Sequence, residues 1–258
     1  MPGLPEQNPM EGGATARRAL RILEAVATAE GRATVDDLAA AVGLNKSTAY
    51  RLARVLQDEA YLERTEDGYR LGSRMIGLAA VALPQFDVYA AVRPILRRLS
   101  LASGETVTLH RRAGDLGILV LAEENDEHML RFVARIGEAT PLVRGSAGLA
   151  MLAALPDQEK DALLARGVGA ERRGELREQI DQIRRDGWVL SEGANHPGAS
   201  GIAVAIPSAD TTVQVAVAVS GPSGRWTPDK RRAFAQRLID ARDELGGLFA
   251  AAGSVVLR

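Results

Sequence analysis

The sequence predicts an α+β chain: an N-terminal winged helix-turn-helix domain, a linker helix and a larger C-terminal α/β domain. Three observations carry that prediction. The apolar spacing i, i+3, i+4, i+7 occurs three times between residues 19 and 56, the signature of three short amphipathic helices. An Asp67-Gly68 turn between two strand-like runs follows the third helix directly. Beyond residue 105, β-branched runs alternate with helical patterns. The 258 residues suffice for one large domain or two ordinary ones.

Residues 1–13, with three prolines and three glycines, read as a disordered tail. Ala19, Ile22, Leu23 and Val26 then mark the first helix, and Gly31 interrupts it. Val35, Leu38, Ala39 and Val42 mark the second, begun by Thr34 with Asp37 three residues on, a capping box, and stopped by Gly43. Asn45 is a good N-cap for the third, which carries Ala49, Leu52, Ala53 and Leu56. Two helices joined by a tight Gly43-Leu44 turn make a helix-turn-helix. The hairpin of residues 61–65 and 69–71 makes a wing. Residues 72–83 predict a helix ended by Pro84, and 87–102 another, split near its start by Pro94. The domains fall at 14–75 and 85–252, with residues 76–84 as linker helix.

In the second domain, strands are expected at 106–111, 117–121, 129–134, 187–190, 202–206 and 213–219. Helices are expected at 147–154, 158–165, 176–185 and 228–251. No internal repeat is visible.

Composition closes off several functions. The absence of cysteine removes disulfide frameworks, thiol nucleophiles and thiolate metal sites. The longest strongly apolar run, residues 75–83, is about half of what a bilayer span needs, and residues 1–13 lack the features of a signal peptide, so a cytoplasmic protein with no membrane partner is expected. A net charge of −1 excludes a bulk polycation, so any nucleic-acid contact must be local and geometrical. His110, His128 and His196 are isolated in sequence, and no nucleophile elbow, zinc-binding helix or phosphate loop occurs. An enzyme is not supported, and no cofactor or metal is expected.

The third helix is the most informative stretch. Its apolar stripe belongs to the core, and the other side carries Ser47, Tyr50, Arg51 and Arg54, with Lys46 and Thr48 at its start. A helix of this kind fits a major groove: hydroxyls reach phosphate, arginine reaches guanine or phosphate, and tyrosine reaches backbone or a thymine methyl. Taken alone, the same face is equally a solvated charged surface; the preceding helices and the wing turn the reading toward double-stranded DNA. Arg17, Arg18 and Arg21 on the first helix, with Arg64 and Arg70 on the wing, are candidate phosphate contacts. Nearby acids nearly cancel them, so specific contacts must do much of the binding.

Two segments of the second domain are candidates for binding. Residues 141–148 run into a helix through a small-residue turn that would expose backbone N–H groups to a carboxylate, or serve only as a helix start. Residues 191–201 form a polar, glycine-containing loop that lids a pocket or merely joins two strands.

These segments together resemble the IclR family of bacterial transcriptional regulators over nearly all of residues 14–252. The resemblance rests on Arg18-Ala19-Leu20 with Ile22-Leu23, on the run from Lys46 to Leu52, and on Tyr69-Arg70-Leu71-Gly72. It continues in Gly104-Glu105-Thr106-Val107, Pro141-Leu142 with Ser146-Ala147-Gly148, Gly201-Ile202-Ala203 and Ser220-Gly221-Pro222. It implies a GAF-like effector-binding C-terminal domain. It also implies a homo-dimer or homo-tetramer on a palindromic operator, acting more as repressor than activator, and control by a small organic acid or aromatic metabolite. Carried over by motif, the effector-binding positions are Ser146, Ala147, Ser191, Gly201, Ala218 and Ser220. Relatives place an acidic residue, a cysteine or an extra serine at the positions of Ser191, Gly201 and Ala218. The small residues here predict a roomier, less polar pocket and an aromatic or branched carboxylate. Two other readings stay open: a DNA-binding dimer whose C-terminal domain only oligomerises, and a small-metabolite hydrolase or transferase with a helical adaptor, which the missing nucleophile motif opposes.

Overall fold

A computed structural model describes residues 9–29, 32–82, 88–207 and 214–253. It divides into two compact units, Met1–Phe86 and Asp87–Arg258. The first contains α1 (Pro9–Thr28), α2 (Val35–Val42), α3 (Lys46–Asp58), β1 (Leu62–Thr65), β2 (Gly68–Leu71) and α4 (Ser73–Ala82). The predicted caps form. Thr34 and Asp37 make both bonds of the capping box, Gly43 closes α2 in the left-handed region at φ 65°, and the Asn45 side chain accepts from the Thr48 N–H. The stripes of α1, α2 and α3 meet in one core of Ile22, Val26, Leu38, Val42, Ala49, Ala53 and Leu56. The wing closes that core with Leu62 and the buried Tyr69. Tyr69 N–H donates to the Ala33 carbonyl at 2.9 Å, so the wing adds a one-residue third bridge from the α1–α2 connection.

The second unit is a six-stranded antiparallel sheet, order β5-β4-β3-β8-β7-β6, with helices on both faces. Its elements in chain order are α5 (Val88–Ser103), β3 (Thr106–Ala113), β4 (Leu116–Glu123), β5 (Ala139–Pro141), α6 (Gly145–Ala153), α7 (Asp157–Gly167), α8 (Ala170–Asp186), β6 (Val189–Glu192), β7 (Ala199–Ile206), β8 (Val215–Pro222) and α9 (Pro228–Gly253). The alternation of the strands sorts residues by size. Val107, Leu109, Leu121, Ile202, Val204, Val215, Val217 and Val219 face α5 and α9 across a large apolar core. The opposite face presents Ala203, Ala216 and Ala218 to α6, all nine of whose residues are buried. Small residues on a sheet let a helix approach closely, and Leu149, Met151 and Leu152 each gain about 1.5–3 kcal/mol by leaving water there.

Several expectations are corrected. Residues 9–13 are the start of α1 rather than tail, because the chain there has no residue that must break a helix before the apolar stripe begins. The strand expected at 129–134 is irregular: Met129, Leu130 and Val133 are exposed and pair with no strand, and the edge strand is the unpredicted β5. Pro94 sits inside an unbroken α5; it gives up one backbone hydrogen bond there, and the buried stripe of Val92, Ile95, Leu96 and Leu99 holds the helix against the core. The loop expected at 191–201 is shorter, since Ser191 and Gly201 are directly paired across β6 and β7. The tail at residues 1–8, the break at Gly31, the stop at Pro84 with the start of the second domain at 85–87, and Val213 lie outside the described residues.

Gly68, at φ 143°, lies so close to the α1–α2 connection that a Cβ would stand 2.3 Å from the Ala33 carbonyl oxygen. Gly68→Ala must both strain the turn and push the wing off that backbone, and should cost the first unit about 2 kcal/mol or more. Urea unfolding monitored at that unit checks this, with Gly43→Ala, a left-handed glycine of the same unit with open space around it, as the control for φ strain alone.

Candidate functional site

Helix α3 spends its apolar stripe on the core and leaves Ser47, Tyr50, Arg51 and Arg54 exposed on its other sides. Thr48 is half-buried and its N–H is held by Asn45; Ser47 Oγ donates to the same Asn45 oxygen at 2.9 Å. The exposed row is therefore oriented by a capped helix start. Other predicted contacts are partly engaged. Lys46 Nζ pairs with Asp36 at 2.5 Å. The Arg64 guanidinium carbon lies 5.7 Å from the Tyr69 ring centroid, a cation–π contact that orients the head of an exposed side chain. Arg70 donates through Nε and Nη2 to one Glu63 oxygen at 3.0 and 2.7 Å, and the other oxygen accepts from Ser73 N–H. Arg70 thereby braces the base of the wing, and its guanidinium holds the Glu63 carboxyl below the usual carboxylate range. Arg17 is exposed and Arg18 half-buried on α1.

In the second unit, the six residues carried over by motif, Ser146, Ala147, Ser191, Gly201, Ala218 and Ser220, all line one cavity of about 70 Å³. Its floor is the small-residue face of β3, β7 and β8, where a Cβ on Gly201 would stand 2.8 Å from Ser146 Oγ and 3.0 Å from Ser220 Oγ. Its far wall is the first turn of α6. Arg144 precedes that helix in an extended conformation and supplies no side-chain cap. The first-turn N–H groups therefore point, uncapped by any side chain, toward the cavity lined by Gly145, Ser146 and Ala147. Gly145 suits this position because its φ of 71° lies in the left-handed region, and the Asn195 amide packs where a Cβ would stand. Arg144 Nε donates to the Ala194 carbonyl, so the β6–β7 turn is clasped onto the helix start.

The remaining lining was not foreseen. Thr108, His110, Thr140, Asn195, His196, Ser200 and Glu138 add polar groups, and the volume is under half of the roughly 150 Å³ that accommodates benzene. Thr108 and His110 had a readable signal: polar residues at i, i+2 in a strand whose alternate positions, Val107 and Leu109, are fully apolar. Phe132 and Glu138 had none, since they come from the irregular segment. That segment is fastened by an ion pair whose carboxylate is buried. Arg225 donates to both Glu105 oxygens at 2.6 and 2.7 Å and to the Leu130 carbonyl at 2.9 Å, while Thr106 Oγ1 donates to the Phe132 carbonyl. Bonding to Glu105 raises the Arg225 pKa. Phe132 in turn stacks on His196 at 5.4 Å, and His196 Nε2 lies 3.6 Å from Glu138. The histidines that look isolated in sequence thus include two that share one cavity. Burial pushes the His110 pKa down to about 4, so the ring is neutral at pH 7; Thr108 Oγ1 lies 3.0 Å from its Nε2. Among the described residues, no group of acids and histidines is arranged to hold a metal ion, and no helix is long and apolar enough to cross a membrane.

Comparison with known proteins places both units. The helix-turn-helix domain of IclR matches residues 15–66, and the C-terminal domain of the bacterial transcriptional regulator IclR matches residues 80–246. The HTH-type transcriptional repressor AllR of Klebsiella pneumoniae is 28% identical over 239 residues, spanning 89% of this chain and 87% of its own. A putative regulator structure from Silicibacter sp. TM1040 is 29% identical, with TM-score 0.73 over 92% of this chain and 96% of that one. A structure of an IclR homolog from Microbacterium hydrocarbonoxydans complexed with 4-hydroxybenzoate has TM-score 0.72 at 22% identity, over 92% and 99%. With both domains matched in order and the second covering more than half its length, this chain belongs to the IclR family of bacterial transcriptional regulators, DNA-binding proteins built on a helix-turn-helix.

Proposed function

We propose that this regulator is a repressor whose grip on DNA is controlled by a small organic acid seated in the cavity of the second unit. The observation that carries the effector half is the uncapped first turn of α6 facing a cavity that Gly201 keeps open. Backbone N–H groups and the positive end of the helix receive a carboxylate, while Thr108, Ser146 and Ser220 offer hydroxyls around it. The volume favours a compact head group with one or two carbons inside. A ring, as in the 4-hydroxybenzoate held by the Microbacterium homolog, must extend past Phe132 and His196. The repressor sign is supported by the curated AllR relatives.

On the DNA side, Ser47, Tyr50, Arg51 and Arg54 reach base edges and phosphates in the major groove, with Lys46 and Thr48 at the helix start. Arg17, Arg18 and Arg64 hold the flanking phosphates, and Arg70 contributes by stiffening the wing. A homo-dimer or homo-tetramer on a palindromic operator presents two such helices about 34 Å apart, or a multiple of that. An effector shifts the DNA-competent population only by as much as it prefers one conformation over the other.

Mobility-shift titration against the upstream region of the chain's own gene, with acetate, glyoxylate and benzoate, tests the whole reading. Release of DNA by an acid supports it, and a shift indifferent to every acid favours a second unit that only oligomerises. Arg51→Ala should weaken operator affinity by about 1–3 kcal/mol, roughly 5- to 150-fold, with the oligomer unchanged by sedimentation. Gly201→Val should leave the basal DNA shift intact and abolish its response to acid, because the added methyls occupy the space between Ser146 and Ser220.

A further inference from the structure

An anion entering the cavity meets no permanent cation. No lysine or arginine lines it, and its ionisable residues are His110, His196 and Glu138. A carboxylate buried without a positive partner loses several kcal/mol of hydration that helix N–H groups only partly restore. Glu138 adds a charge of the wrong sign, and His196 beside it is half given over to that carboxylate and to Phe132.

His110 is placed differently. Its neighbours across the sheet are Ala216 of β8 and Leu119 of β4, and α6 brings only uncharged residues to this face. The same-face residue two positions along β3, Arg112, is turned away to Glu159, Gln214 and the Gly114 carbonyl. The strand pairing is adjusted at this very step: Leu109 faces Leu121 while His110 faces Leu119, so β4 spends one extra residue, Val120, opposite it. Alternation alone puts Leu109 in the α5–α9 core and His110 in the cavity wall; the bulge switches β4 to match, so that Leu121 joins that core while Leu119 lines the cavity beside His110.

We propose that His110 is the acid-recognising residue of this cavity, and that a carboxylate effector binds together with one proton from solvent. The proton forms an N–H bond at the lone pair of the neutral ring, and the resulting imidazolium neutralises the anion within the pocket. Thr108 Oγ1, 3.0 Å from Nε2, then accepts from that nitrogen. Burial keeps the empty site's ring neutral, with a pKa of about 4, and the bound anion raises it. The cavity thus discriminates acids from amides or alcohols of the same shape. This inference rests on the effector reading above.

Calorimetry of the full chain with acetate, glyoxylate and benzoate, and with acetamide and benzamide, in buffers of different ionisation enthalpy, tests it. Uptake of about one proton per bound acid near pH 6 is expected. Because the free ring's pKa is low and the bound ring's is raised, affinity should strengthen as pH falls, by up to tenfold per pH unit between about pH 7 and pH 5. His110→Gln should bind acids more weakly with that slope flattened. Acid binding without proton uptake, or an unchanged slope in His110→Gln, overturns the role of His110 and leaves the effector site standing. No acid binding at any pH overturns both. Should His110→Gln fail to fold, NMR titration of the His110 ring in the unaltered chain decides: benzoate must move its midpoint upward by at least about three pH units, and an unmoved midpoint overturns the proposal.

Discussion

The burial of α6 against a sheet face made of glycine and alanine is the constraint on which the second unit is built. A helix with no polar face can exist only where it is enclosed all round, and here β7, β8, α8 and β4 enclose it. Close approach demands small residues beneath it, so Ala203, Ala216 and Ala218 stand where Val and Ile stand on the other face. Where that small-residue surface outruns the helix start, the same geometry leaves a hole, and the helix's unsatisfied N–H groups face into it. Packing and binding chemistry therefore share one cause: the site is the end of a close helix–sheet contact.

The contents of that hole are set by distant contacts. In the Glu105–Arg225 pair the carboxylate is buried and the guanidinium half-buried, so losing the arginine would leave a buried charge without its partner. Its position requires Gly221, where a Cβ would stand 2.2 Å from a Glu105 oxygen. Through the Leu130 and Phe132 carbonyls it ties an otherwise exposed, apolar segment to the sheet and brings Phe132 over the cavity. The first unit uses the simpler logic of an amphipathic helix. Once Ala49, Ala53 and Leu56 are committed to the core, the arginine and hydroxyl face of α3 has nowhere to go but outward.

Much of this was legible in the chain itself. The spacing of apolar residues determined all three helices of the first unit, and Thr34, Gly43, Asn45 and Asp67-Gly68 determined their ends and the wing, because caps and turns are local chemistry. Strand alternation likewise held enough to show Thr108 and His110 as polar positions on a buried face. Residues 129–134 show the limit: their apolar composition suits a strand, yet they pair with none, and pairing is not a local property.

The sequence by itself determined which elements form and which face of each is apolar, since both follow from interactions a few residues apart. Only the tertiary structure decided that Ser146, Ser191, Gly201, Ala218 and Ser220 converge on one hole, that the hole is small, and that His110, His196 and Phe132 share it. Likewise, only the folded wing commits Arg70 to Glu63 across the two strands. Those outcomes depend on strand register, a bulge opposite His110 and ion pairs spanning 120 positions, and such long-range geometry leaves no periodic trace along the chain.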